Sequence, residues 1–141
     1  MTFPDLKIAF LIMTLFTFGG CNQKTVYMEK LVELEKGHSD CIDSSSMNNV
    51  IALQCCKNNT LKLNSLLAEL LNILIDQSSE EEKNIHTKEN LAWIKTKKEL
   101  LNAEFPNINP SDYLLDSISF YTSESQYISH RIIYLTNKLN K

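Results

Sequence analysis

The strongest apolar pattern in the chain lies in residues 60–77, TLKLNSLLAELLNILIDQ. Leu63, Leu67, Leu70 and Leu74 fall at helical spacing, and Leu66, Leu71 and Ile73 widen the stripe. A face that broad predicts a central helix touched by several others. Upstream, Tyr27, Leu31 and Leu34 predict a first short helix over 25–36. The polar run GHSDCIDSSS at 37–46 predicts a loop, with Ser44 to Ser46 capping a short helix through MNNVIALQCC. Downstream, Ser79 and Glu82 have the spacing of a capping box, and Glu80 to Glu82 suit the positive end of a helix dipole. That start predicts a third main helix over about 80–103, carrying Ile85, Ala92, Trp93, Leu100 and Leu101. Pro106 and Pro110 interrupt the pattern, and 111–121 holds at most a short helical turn. Ile128, Ile132, Leu135 and Leu139 then mark one seam of a last helix over about 123–139.

Composition strengthens the helical reading. Beyond residue 20 the chain keeps one glycine, Gly37, and two prolines, Pro106 and Pro110. An all-β domain would consume more turn formers than that, and glycine loops that cradle phosphate are excluded. The expectation is an all-α domain, a small bundle of three to four main helices with a disulfide-tied N-terminal loop.

The N-terminus changes where that domain is expected to work. Ile8 to Phe18 is an apolar run of eleven residues, short of the roughly 20 that span a bilayer and right for a signal peptide. Gly19, Gly20 and Cys21 follow, in the manner of a bacterial lipobox. The expected organisation is a signal peptide over 1–20, a lipidated tether and short helix over 21–36 starting at Cys21, and a helical domain over 37–141. The polar stretch NQKT serves as the tether. Several acyl chains on Cys21 would hold the protein to a membrane, facing the periplasm, on the outer membrane where the cell has one. Net charge is −3 and no basic, aromatic-interleaved patch is present, which argues against nucleic acid as a partner.

Export makes cysteine bonding possible. Cys41 can pair with Cys55 or with Cys56, closing a loop worth about 3 kcal/mol in the chain-entropy model. The thiol left over has two uses: to pack as a small hydrophobe, or to link a homodimer. Zinc held by Cys41, Cys55, Cys56 and His38 is the rival arrangement, but the spacing fits no common finger. No metal and no cofactor are expected.

The leader, the cysteines flanking a short helix, LKLN at 61–64, Leu67, Leu71 and ENLAWIK at 89–95 together resemble the LprI-like lysozyme inhibitor family over about residues 38–137. The chain departs from that family's pattern at Asn90, at Thr96 to Lys98 and in lacking a later cysteine pair. By register from the LN at 63–64 the resemblance implies that Cys41 bonds Cys55; the apolar residue it expects just before the cysteine, where Gln54 precedes Cys55, implies Cys56 as the alternative. It also implies a non-enzymatic protein that inhibits a peptidoglycan hydrolase by occlusion.

Residue chemistry points the same way. His38, His86 and His130 lie far apart in polar surroundings, no serine sits in a nucleophile elbow, and Glu80 to Glu82 read as a solvated helix start. Trp93 is expected to anchor the core. Residues 29–43 set Glu29, Glu33, Glu35, Asp40 and Asp43 against Lys30 and Lys36. That acidic segment can steer toward a basic protein partner, as many lysozymes are. His38, Asp40 and Asp43 are the candidate partner-binding residues. The alternative is a periplasmic immunity or assembly lipoprotein that binds a toxin or a secretion-machine component.

Overall fold

The computed structural model describes residues 22–106, 108 and 114–139. Four helices make the fold: α1 Gln23–Ser44, α2 Asn49–Asp76, α3 Glu80–Glu104 and α4 Leu114–Thr136. No strand occurs among the described residues. The leader and Cys21 lie outside the described residues.

Chain direction alternates from helix to helix, so α2 and α4 run the same way. They form the spine of the bundle, packed along their length. Leu63, Leu67, Leu70 and Leu74 of α2 share one core with Ile128, Ile132 and Leu135 of α4. Each such side chain, fully buried, contributes about 1.5–3 kcal/mol. Toward the start of both helices the seam turns polar and small: Cys56, Thr60, Ser117 and Ser125 are all buried. Small side chains there let the two backbones approach. The Thr60 hydroxyl donates to the carbonyl of Cys56 at 3.1 Å and shares a hydrogen bond with Ser125 Oγ at 2.9 Å, so the buried hydroxyls are satisfied.

α1 lies on one flank of this spine and α3 on the other, without touching each other. α1 docks through Tyr27 and Leu31. The Tyr27 hydroxyl donates to Glu69 Oε1 at 2.9 Å, and Lys30 Nζ donates to the same oxygen at 2.7 Å. These hydrogen bonds, Lys30's first, hold the Glu69 carboxyl below its ordinary range. α3 docks on α4 through Lys97–Glu124 at 2.7 Å and Lys138–Glu89 at 2.6 Å, with Leu101 as its one buried residue.

Several predicted boundaries move. The 37–46 loop is helical through Ser44, because Gly37 costs a helix only about 1 kcal/mol and the flanking turns hold it. The expected boundary at 36/37 therefore falls inside α1. NQKT is no tether: the Asn22 side chain accepts from the Lys24 amide at 3.2 Å and caps α1, whose first turn is Gln23–Lys24–Thr25. The two predicted segments 47–56 and 60–77 are one helix, capped by Asn48 rather than by Ser44 to Ser46. α4 begins at Leu114, well before 123.

Other expectations stand. Ser79 and Glu82 form the capping box, with Glu82 Oε2 accepting from the Ser79 amide at 2.9 Å. α3 ends at Glu104, and Phe105, held extended before Pro106, cannot continue it. Trp93 packs on the core but remains half-exposed, so it anchors the flank of the bundle rather than its centre.

Candidate functional site

The turn between α1 and α2 is short and bonded across. Cys41 and Cys55 form a disulfide with their Cα atoms 5.8 Å apart, joining the last turns of α1 to the first turns of α2. The bond ties two helices together rather than closing a flexible loop. It also fixes the identity of the spare thiol: Cys56 is buried at 2% exposure, 3.9 Å from Thr122 Oγ1 of α4. Neighbouring positions on a helix point about 100° apart, so Cys55 faces α1 while Cys56 faces α4. The third thiol packs inside the bundle as a small hydrophobe. With two of its sulfurs bonded to each other, the zinc arrangement is also ruled out.

Within the turn, the Ser45 amide donates to Ile42 O at 3.0 Å and the Asn48 amide to Ser45 O at 2.8 Å. Asn48 Oδ1 accepts from Val50 and Ile51 at 3.0 and 3.3 Å. Between these anchors the backbone passes through two consecutive left-handed residues, Ser46 at φ 49° and Met47 at φ 65°. For side chains other than glycine that conformation costs about 1–2 kcal/mol per residue. The strain is held at a point where Met47 is 97% exposed, Val50 67% and Ile51 47%. The result is a rigid apolar knob at one end of the bundle. Asp40 and Asp43 lie exposed on the α1 turns leading to it.

Behind the knob a groove of about 300 Å³ opens between α1, α2 and α4. Glu35 and His38 of α1, Asn59 of α2, and Ser125, Ser129 and His130 of α4 line it. His38 Nδ1 and Asn59 Oδ1 are buried there with no hydrogen-bond partner, and burial lowers the His38 pKa, since it disfavours the charged ring. Such a groove can exchange hydrogen bonds with a polar ligand.

The structure separates the three predicted partner-binding residues. His38 turns inward to the groove, while Asp40 and Asp43 face solvent beside the knob. It also brings together two histidines that the sequence placed as unrelated surface residues, His38 and His130. His86 stands elsewhere, near Glu82 and Lys138. Among the described residues no group of three His, Cys, Asp or Glu side chains is arranged to hold a metal, and no helix is long and apolar enough to cross a membrane. The knob itself escaped the sequence reading, which placed Met47, Val50 and Ile51 in a short helix with no exposed role. Its only signal was Met47, a large apolar residue amid serines and asparagines.

Comparison with known proteins adds no relative: no family model, no curated protein and no solved structure matches this chain.

Proposed function

We propose that this protein is an exported, lipid-anchored envelope lipoprotein that binds a lysozyme-type peptidoglycan hydrolase and blocks its cleft, acting by contact and not by turnover. The observation that carries this reading is Met47, almost fully exposed in a strained backbone at the end of a disulfide-locked helical hairpin. Backbone strain persists where the surrounding structure over-determines it, and it concentrates at functional sites. A pre-ordered apolar knob inserts into a cleft with little loss of conformational entropy. Met47, Val50 and Ile51 supply the apolar contact, while Asp40 and Asp43 beside them complement the basic surface of such an enzyme and speed encounter. The resemblance in the leader, the cysteines and the ENLAWIK segment names the class of partner.

The test is turbidity of a cell-wall suspension during digestion by a lysozyme. Residues 22–141, which include the whole described core, slow the clearing in proportion to their concentration. Met47→Asp abolishes the effect while leaving helix content unchanged. Clearing at an undiminished rate in the presence of a large molar excess of the protein refutes the proposal.

A further inference from the structure

On the opposite flank, between α3 and α4, the bundle buries a charge that no carboxylate meets with a hydrogen bond, although Glu89 lies near enough to act on it through space. Arg131 is only 8% exposed. Its guanidinium carbon lies 5.6 Å from the centre of the Trp93 ring and 5.0 Å from that of Tyr134, so aromatic rings hold the group in place. Ring faces attract a cation but do not accept hydrogen bonds from its edge. Nε and Nη2 are buried with no hydrogen-bond partner. These two atoms share one edge of the guanidinium, the edge whose parallel N–H bonds grip two oxygens of one anion.

The nearby carboxylates are already engaged. Glu89 accepts from Lys138 Nζ at 2.6 Å and Glu124 accepts from Lys97 Nζ at 2.7 Å. Lys97 and Lys138 also lie over the same rings, 5.5 Å from the centre of Trp93 and 4.7 Å from that of Tyr134. Three cations thus face two carboxylates around one aromatic pair, and the surplus positive charge rests on Arg131. A cavity of about 280 Å³ opens at this point, lined by Trp93, Leu100, Tyr127, His130, Arg131 and Tyr134 among others.

We infer that this cavity is a binding site for a small organic monocarboxylate, its two oxygens on Nε and Nη2 of Arg131 and its apolar body against Leu100 and the aromatic walls. A single surplus charge matches a monoanion. A phosphate dianion would meet Glu89 and Glu124 with no cation left to offset its second charge. The apolar walls select against a bare inorganic ion. Tyr134, half-exposed on its helix, is the ring that turns aside to admit the ligand. The site is separate from the hairpin knob and does not depend on the reading given to it.

Trp93 is the only tryptophan in the chain, so its emission reports on this cavity alone. The full protein is titrated at constant ionic strength with butyrate, with butyramide as the neutral isostere and with inorganic phosphate. Butyrate produces a saturable change in Trp93 emission with millimolar half-saturation; butyramide and phosphate produce none. Arg131→Lys keeps the charge and loses the fork, and weakens the butyrate response at least tenfold. Should that variant fail to fold, the Arg131 Nε–H proton resonance of the unaltered protein serves instead, moving downfield with the same half-saturation. No saturable response to butyrate, an equal response to butyramide or phosphate, or an Nε–H resonance indifferent to butyrate each overturns the assignment.

Discussion

Replacing Cys41 and Cys55 together by alanine lowers the midpoint of thermal unfolding by about 12 °C. The two residues are 14 apart in sequence, and cross-linking a loop of that size removes about 3 kcal/mol of denatured-state freedom. Alanine is the right replacement because Cys55 is buried, and a serine hydroxyl there would add its own cost of about 1–3 kcal/mol if left unpaired. Two effects of alanine offset each other. Its helix propensity exceeds that of cysteine by up to about 0.7 kcal/mol per site, and the lost sulfur contacts give back a similar amount. For a domain of this size 1 kcal/mol moves the midpoint by about 4 °C. Far-ultraviolet circular dichroism during heating measures the shift. The same drop appears when the unaltered protein is heated with a thiol reductant, and the double variant does not respond to that reductant. Cys55→Ala alone also becomes insensitive, because Cys56 faces α4 and cannot replace Cys55 as the partner of Cys41. A midpoint change below about 3 °C would show that the helix ends hold the hairpin without the bond. Reductant sensitivity in Cys55→Ala would refute the assigned direction of Cys56.

Gly37→Ala raises stability by about 0.5–1 kcal/mol in urea unfolding, since Gly37 sits inside α1 with nothing within 4 Å of an added Cβ; a loss of stability would mean that 37 is not helical in solution. Met47→Gly relieves left-handed strain and gains about 0.5–1 kcal/mol, yet weakens inhibition of wall lysis, so stability and binding move in opposite directions; loss of both would refute the strained-knob argument. Burial, followed by its bond to Glu69, pushes the Tyr27 hydroxyl up to about 12, above the ordinary value near 10. The folded state therefore holds this proton more tightly than the unfolded state. The stability it contributes is complete below about pH 10 and is lost between there and about pH 12. Urea midpoints on either side of that window fall less for Tyr27→Phe than for the unaltered protein, and equal falls would refute the assignment.

Periodicity made the core legible. Leu63, Leu66, Leu67, Leu70 and Leu74 and the Ile128–Ile132–Leu135 seam are buried where their spacing placed them, because burial of a helical face leaves a direct trace in the order of residues. The capping box was equally plain, since Ser79 and Glu82 act on each other locally. What misled was polar composition: GHSDCIDSSS contains many cap and turn formers, but α1 continues through it because tertiary support and the Cys41–Cys55 bond outweigh weak local preferences. Whether His38 turns inward while Asp40 and Asp43 turn outward depends on that stretch being helical. The Arg131 cavity left one faint local trace, Arg131 and Tyr134 three apart on one helix. Trp93 joins them only because α3 folds back along α4, and no spacing in the sequence announces which basic residue will lack an acid.

Asn22 closes the amino end of α1 with its own side chain, and this sets a limit on reach. Under the proposed acylation at Cys21, the folded domain starts at the very next residue, with no slack between bilayer and bundle. The 22 residues of α1 rise roughly 33 Å at 1.5 Å each, so Met47 operates within a shell no deeper than one helix above the lipid surface. Under the proposed function, the enzyme it stops works in that shell, and lengthening the chain between Cys21 and Asn22 would widen the territory that each molecule guards.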